Sequence, residues 1–236
     1  MTLKRFLFIA LFISIFTSSS VAYVNSVDPS TGYFIYSKTD LSIPGIIPVN
    51  ITRYYQAGST AIGAFGNGTY FEYDWLLLGY GADGNINNTN PTMFLLIKPG
   101  NYQYRFDIKQ ADGTFINDRD PAMAGAVVTK NSDSTRTLRM KDGWTYKFNS
   151  NGRLIEISDR NGNTLVLTRR STFEGEFLTE IIMPDGRKIT FNQTWVWSSE
   201  NVSGFFRTDS IIEPAGRTIK YTYYAGTPGS FDPRLK

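Results

Sequence analysis

Between Asp142 and Tyr224 the chain repeats one short phrase, and a chain that repeats itself folds as stacked copies of one unit. The copies are GRLIEISDRNGNTLVLT (Gly152–Thr168), LTEIIMPDGRKITF (Leu178–Phe191) and DSIIEPAGRTIKYTYY (Asp209–Tyr224). In each, an apolar run ends in Asp or Pro, a turn follows on Gly162, Gly186 or Gly216, and a second run is rich in Thr, Ile, Leu, Phe and Tyr. β-Branched and aromatic residues on either side of turn chemistry predict a β-hairpin per copy. A degenerate copy, Lys141–Phe148 with its turn at Gly143, supplies the same turn and strand. Repetition at a period of roughly 20–30 residues points to supersecondary units that bury themselves only against one another. The expected fold class is therefore all-β, with hairpins extending one long curved antiparallel sheet.

Composition narrows the function. With 41% hydrophobic and 15% aromatic residues, the 236-residue chain can build a packed core. His and Cys are both absent. That excludes Ser-His-Asp and Cys-His triads, thiolate sites, His-ligated zinc and haem held by either residue, as well as disulfides. The formal net charge is +3, and without Lys4 and Arg5 the balance is 22 basic to 21 acidic residues. No basic run stands out, so nucleic acid is not an expected partner, and no cofactor or metal is expected.

The first segment addresses the chain. Lys4 and Arg5 precede the apolar run Phe6–Phe16, and Thr17–Ala22 ends in small residues. This is the pattern of a signal peptide over 1–22, helical in its apolar part, with cleavage between Ala22 and Tyr23. The run is too short for an ordinary helix across a hydrocarbon core of roughly 30 Å, although an uncleaved anchor is the alternative. A secreted or cell-surface location follows, with membrane contact only through this segment. Beyond it, Val49–Tyr55 alternates with a two-residue period and predicts a strand. Tyr70–Leu78 reads as one buried strand, and Met93–Ile97 and Tyr102–Ile108 as others. The polar run Lys130–Thr135 marks the expected boundary between a β-rich leader domain (23–130) and the hairpin repeats (131–236). Almost nothing asks for a helix after Ala22.

Several stretches of the leader carry a resemblance. Asp28, Pro29 and Gly32 are followed by Thr39–Leu41, Ile43–Gly45, Arg53–Tyr55, and then Gly63, Phe65, Gly66 and Gly68. That order resembles the domain preceding the repeats in Rhs/YD-repeat proteins. Gly152–Leu154, Asp159–Asn163 and Thr218–Tyr223 are similar to the YD repeat itself. The resemblance implies a secreted or surface protein whose repeats wind into a hollow shell around a variable C-terminal segment, often a toxin. It also implies that the first partner of these residues is the rest of the parent polypeptide. Gly229–Lys236 echoes the opening of another repeat, so a truncated array is expected.

Candidate sites compete with plainer readings. The cluster Gly63–Gly68 lacks the Gly-Lys-Ser/Thr ending of a phosphate loop and reads as turn geometry. Asp159–Asn163 and Asp83–Asn85 space oxygen ligands as a calcium loop does, but lack its ligand count, and Asn and Asp stabilise turns on their own. Glu72 with Asp74, or Glu174 with Glu176, are the carboxylate pairs on which a glycoside hydrolase could be built. Trp144, Trp195 and Trp197, with Tyr221, Tyr223 and Tyr224, could stack on sugar rings, although strand aromatics usually pair across strands. Asn50, Asn67, Asn87, Asn192 and Asn201 open N-x-Ser/Thr sequons. The leading expectation is a non-enzymatic scaffold segment. The alternatives are a carbohydrate-binding surface module, with cell-surface glycans or proteins as partners, and a carboxylate-dependent glycosidase.

Overall fold

The computed structural model describes residues 26–27, 32–59, 61–86, 90–100, 102–197 and 204–224. The signal segment, the cleavage site at Ala22 and Tyr23, the sequons at Asn87 and Asn201, and the Gly229–Lys236 echo lie outside them. The leader strands are β1 (Ser26–Val27), β2 (Phe34–Ile43), β3 (Val49–Gln56), β4 (Ile62–Gly63), β5 (Gly66–Asn67), β6 (Thr69–Phe71), β7 (Leu76–Tyr80), β8 (Met93–Lys98) and β9 (Tyr102–Phe106). Then come β10 (Ile108–Lys109), β11 (Phe115–Ile116), β12 (Val127–Lys130), β13 (Arg136–Arg139), β14 (Thr145–Phe148) and β15 (Leu154–Ser158). The chain continues through β16 (Thr164–Ser171), β17 (Glu176–Ile182), β18 (Lys188–Trp197), β19 (Gly204–Ile212) and β20 (Thr218–Lys220). Among the described residues the one helical element is a 3₁₀ turn at Pro121–Met123, capped by Asp120. The protein is all-β with antiparallel pairing throughout.

β10 to β20 form one eleven-stranded sheet whose spatial order is the sequence order. Each sequence copy is one hairpin of this wall: β15–β16, β17–β18 and β19–β20. The sheet starts at Ile108, earlier than the repeats are legible, and Asn131–Thr135 is the turn of the β12–β13 hairpin within it. The turns follow one scheme. Gly143, Gly162, Gly186 and Gly216 have φ of 92°, 84°, 83° and 87°. Each donates its N–H to the carbonyl three residues earlier, and that earlier residue donates to the carbonyl after the glycine. This is a three-residue hairpin loop with its left-handed position reserved for glycine.

The β12–β13 turn has the same bonds but places Ser134 at φ 67°. Ser134→Gly is expected to stabilise the fold by about 0.5–1 kcal/mol, and Gly186→Ala, with open space around its Cβ, to cost about 1–2 kcal/mol. Urea midpoints measure both, and a destabilised Ser134→Gly would show that the left-handed backbone carries no strain there.

The leader packs on one face of the wall. β1-β2-β3-β6 form a four-stranded sheet and β7-β8-β9 a three-stranded one, while β4 and β5 make a small hairpin from the glycine cluster. Tyr70–Leu78 is two strands rather than one. β6 ends at Phe71 and β7 starts at Leu76, with a turn between them closed by Asp74 N–H donating to Phe71 O. Glu72 and Asp74 therefore do not share a strand face. Core residues come from both parts: Val49, Ile51, Phe65, Phe71, Leu77, Phe94 and Phe106 from the leader, and Leu138, Phe148, Leu154, Ile181, Ile189 and Ile211 from the wall. Ile219 sits opposite Ile211 and is half-buried.

Candidate functional site

The seam between leader and wall brings polar side chains together. The leader is fastened to successive wall hairpins in order. Leu77 N–H donates to Gly152 O at 2.8 Å, and Leu154 N–H to Trp75 O at 3.4 Å. Arg169 donates from Nε to Leu154 O at 2.8 Å and from Nη2 to Tyr73 O at 3.3 Å. Arg187 Nη2 reaches Pro44 O at 2.6 Å, Thr208 N–H reaches Ala64 O at 2.7 Å, and Tyr221 OH reaches Asp40 Oδ2 at 3.0 Å. Asp40 also receives the Arg53 guanidinium through two nitrogens. Arg53 in turn lies over the Phe65 and Tyr221 rings, at 5.6 and 5.3 Å.

Along this seam lies a cavity of about 440 Å³. Asp74, Lys98, Arg153, Arg169, Glu174, Glu176, Gln193 and Trp195 supply its polar lining. Two β-bulges aim several of these groups. On β17, Thr179 is the extra residue between Leu178 and Glu180, and on β19 Asp209 is extra between Thr208 and Ser210. One extra residue reverses which face every later side chain takes. Past Thr179 the inward positions are Leu178 and Glu176 instead of the series through Ile181; past Asp209 they are Thr208 and Phe206. β18 has no extra residue, so Gln193 and Trp195 continue the inward series of Ile189 and Phe191.

The carboxylates of this cavity differ. Glu176 is held by Asn149 Nδ2 at 2.7 Å and Asn151 Nδ2 at 3.1 Å. Glu174 is exposed and hydrogen-bonded to the Thr172 side chain, which lowers its pKa. Burial pushes the Asp74 carboxyl up, opposed by the charges of Arg169 and Arg153. Burial likewise lowers the pKa of Arg169.

Glu72 belongs elsewhere. It lines a cavity of about 480 Å³ with Tyr36, Tyr54, Tyr55, Tyr70 and Tyr102, and also one of about 360 Å³ with Asn50, Tyr73 and Tyr146. Tyr54 OH donates to Glu72 Oε2 at 2.5 Å. Burial raises the Glu72 pKa, against the Tyr54 bond and the nearby Lys98. A carboxyl whose folded pKa lies above its unfolded value costs stability while ionised, and that cost disappears as pH falls through the folded pKa. Glu72→Gln is thus expected to raise the melting temperature at pH 7, with the gain fading toward about pH 4. Thermal melts across that range measure it; a lower melting temperature at pH 7 would mean that Tyr54 and Lys98 outweigh burial.

Of the aromatics singled out in the sequence, only Trp195 lines the seam cavity. It meets Trp197 edge-on at 5.7 Å and Phe206 at 5.0 Å. Trp197, 54% exposed, lies at the end of β18, and Trp144 packs half-buried against the core. Tyr221 belongs to the Asp40 cluster, and Tyr223 OH donates to Thr208 O at 2.5 Å. The calcium-like loops use their oxygens internally: Asp159 accepts from Asn161 N–H, Asn163 N–H and Asn163 Nδ2, and Asp83 accepts from Asn85. Among the described residues no group of three or more metal-ligating side chains occurs.

Sequence reasoning missed the arginines. Arg136, 3% exposed, donates from Nη1 to Leu77 O and from Nη2 to Ser150 O, and lies over the Phe94 ring. Its one signal is alternation with Leu138 on the inward face of β13.

The comparisons bear on the leader alone. A profile described as a domain of unknown function, DUF6531, matches residues 24–91, the stretch from the Asp-Pro entry through the glycine cluster and β7. No curated protein matches the chain.

Proposed function

We propose that this chain is a structural wall segment of an Rhs/YD-repeat type protein, with the leader domain starting and bracing a sheet that further hairpins extend. On this reading it is exported by its first 22 residues, performs no catalysis itself, and its first partner is the rest of a parent polypeptide enclosing a C-terminal effector. The observation that carries the reading is the eleven-stranded sheet in which every hairpin lies beside its predecessor in sequence order. A sheet of this kind grows by addition, because each unit needs only its neighbour to bury its face. Two further observations support it: the glycine turn recurs at the same point of each hairpin, and the match of residues 24–91 spans the leader residues that carry the resemblance. An edge strand with open backbone groups is a template for one more strand, and β20 holds that place among the described residues.

The test is to append a second copy of the Leu178–Phe191 hairpin after Lys236 by a short linker and follow amide hydrogen exchange. Slower exchange in Thr218–Lys220 and in the added hairpin is expected. Unchanged exchange in both would show that the wall does not extend, and the reading would fall.

A further inference from the structure

The outer strand of the four-stranded leader sheet is covered only in part. β1 meets β2 at Phe34 and Ile35 alone, and among the described residues no strand lies beyond residues 36–43 on that side. Backbone groups along β2 alternate in direction. Ala57 N–H donates to Phe34 O, so Phe34, Tyr36 and Lys38 turn theirs toward β3, while Ile35, Ser37 and Thr39 turn theirs outward. Among the described residues no backbone group meets those of Ser37 and Thr39. An edge left open in this way is a template for one more strand.

The register, the face and the length of the edge say which strand fits. β1 is antiparallel to β2, with Val27 opposite Phe34 and Ser26 opposite Ile35. Each step back along the chain is therefore a step forward along β2, which sets Asn25 beside Tyr36, Val24 beside Ser37 and Tyr23 beside Lys38. Across the sheet Ser37 is opposite Tyr54, and Tyr54 is opposite Tyr70. This row lines the cavity of about 480 Å³, together with Ile35, Gln56, Trp75 and Tyr102. Position 24 continues the row, and a β-branched apolar residue there packs well beside aromatic rings. The regular edge ends at Asp40, the extra residue between Thr39 and Leu41, past which the alternation reverses. Cleavage after Ala22 leaves a strand whose first residue, Tyr23, stops at Lys38, just short of that bulge.

We infer that residues 23–25 continue β1 and close this edge, with the Val24 N–H and C=O paired to Ser37 and the Val24 side chain over the tyrosine-lined cavity. The start of the processed chain is thus the occupant of the leader's open edge, and the export cut sets the length of a structural strand. An edge closed from within the chain is denied to a second copy. This goes beyond the scaffold reading and takes from it only the cut after Ala22. Its test touches neither β20 nor the wall, so either reading can fail alone.

The experiment follows amide hydrogen exchange by NMR in the exported chain, with its first residue fixed by mass spectrometry. Two variants break the pairing: Val24→Pro, which removes the N–H offered to Ser37 O, and deletion of residues 23–25. Ser37 is expected to exchange about tenfold faster in each, as loss of one hydrogen bond does. Lys38, whose N–H faces Arg53 on β3, should keep its rate, and Val24→Thr, still β-branched, should leave Ser37 protected. In the unsubstituted chain an NOE between the Hα atoms of Asn25 and Tyr36 is expected, because those two residues face each other as a non-hydrogen-bonded pair. Thermal melts confirm that each variant is folded. The inference is overturned if Ser37 exchanges at one rate in the parent and the deletion, or if the NOE is absent. It is also overturned if Lys38 speeds up as much as Ser37, which would mean that the whole sheet loosens. Protection of Ser37 that rises with protein concentration would give the edge to a second copy and overturn it as well.

Discussion

Asp40→Ala is expected to destabilise the protein by about 3–5 kcal/mol, the cost of removing one partner from a buried ion pair. The Asp40 side chain is 7% exposed and that of Arg53 12%, so little water can replace what is lost. Asp40 accepts two bonds from Arg53 and one from Tyr221 OH, and without it the Arg53 charge stays in a pocket of Phe65 and Tyr221. Tyr221→Phe separates the two contributions. It removes a single hydrogen bond to a charged group, worth about 1.5–3 kcal/mol, and keeps the ring under the guanidinium. Urea unfolding of the two variants and the parent gives both numbers. A loss below about 1 kcal/mol for Asp40→Ala would put the pair in the class of surface salt bridges and remove it as a clamp.

Phe71→Ala should cost about 3–5 kcal/mol, the range for deleting a buried aromatic ring. Phe71 is 2% exposed and meets Phe65, Tyr73 and Phe191 edge-on, with centroids 5.4 to 5.7 Å apart. Phe191 belongs to the wall and the others to the leader, so the cavity opens at their joint. The same change should therefore speed amide exchange in β18 as well as in β3 and β6. Faster exchange confined to the leader would show that the two parts unfold separately.

The wall was legible in the sequence because its turns are local. Asp-Gly or an equivalent pair fixes each loop within a few residues, so Gly143, Gly162, Gly186 and Gly216 could be placed without knowing their neighbours. The start of the sheet was harder. β10 and β11 are two residues each and carry no phrase, so the sequence pattern puts the start of the wall after Lys130. The seam was not legible. Arg169 and Trp195 are brought to one cavity with Asp74 by contacts nearly a hundred residues apart, such as Arg169 with Tyr73. The bulge at Thr179 has no residue signature, since Thr is at home in any strand. Glu72 and Asp74 show the limit of periodicity most directly: spaced like one face of a strand, they fall in a turn and open onto different cavities.

The bond from Tyr221 to Asp40 joins positions 181 apart in the chain. Contacts that distant form late, since the intervening loop must close first. As the polypeptide is synthesised, Asp40, Phe65 and Phe71 emerge long before Phe191 and Tyr221 exist to cover them. The nascent leader therefore waits with its aromatic flank bare. Closure then falls to the far side, once the final hairpins arrive.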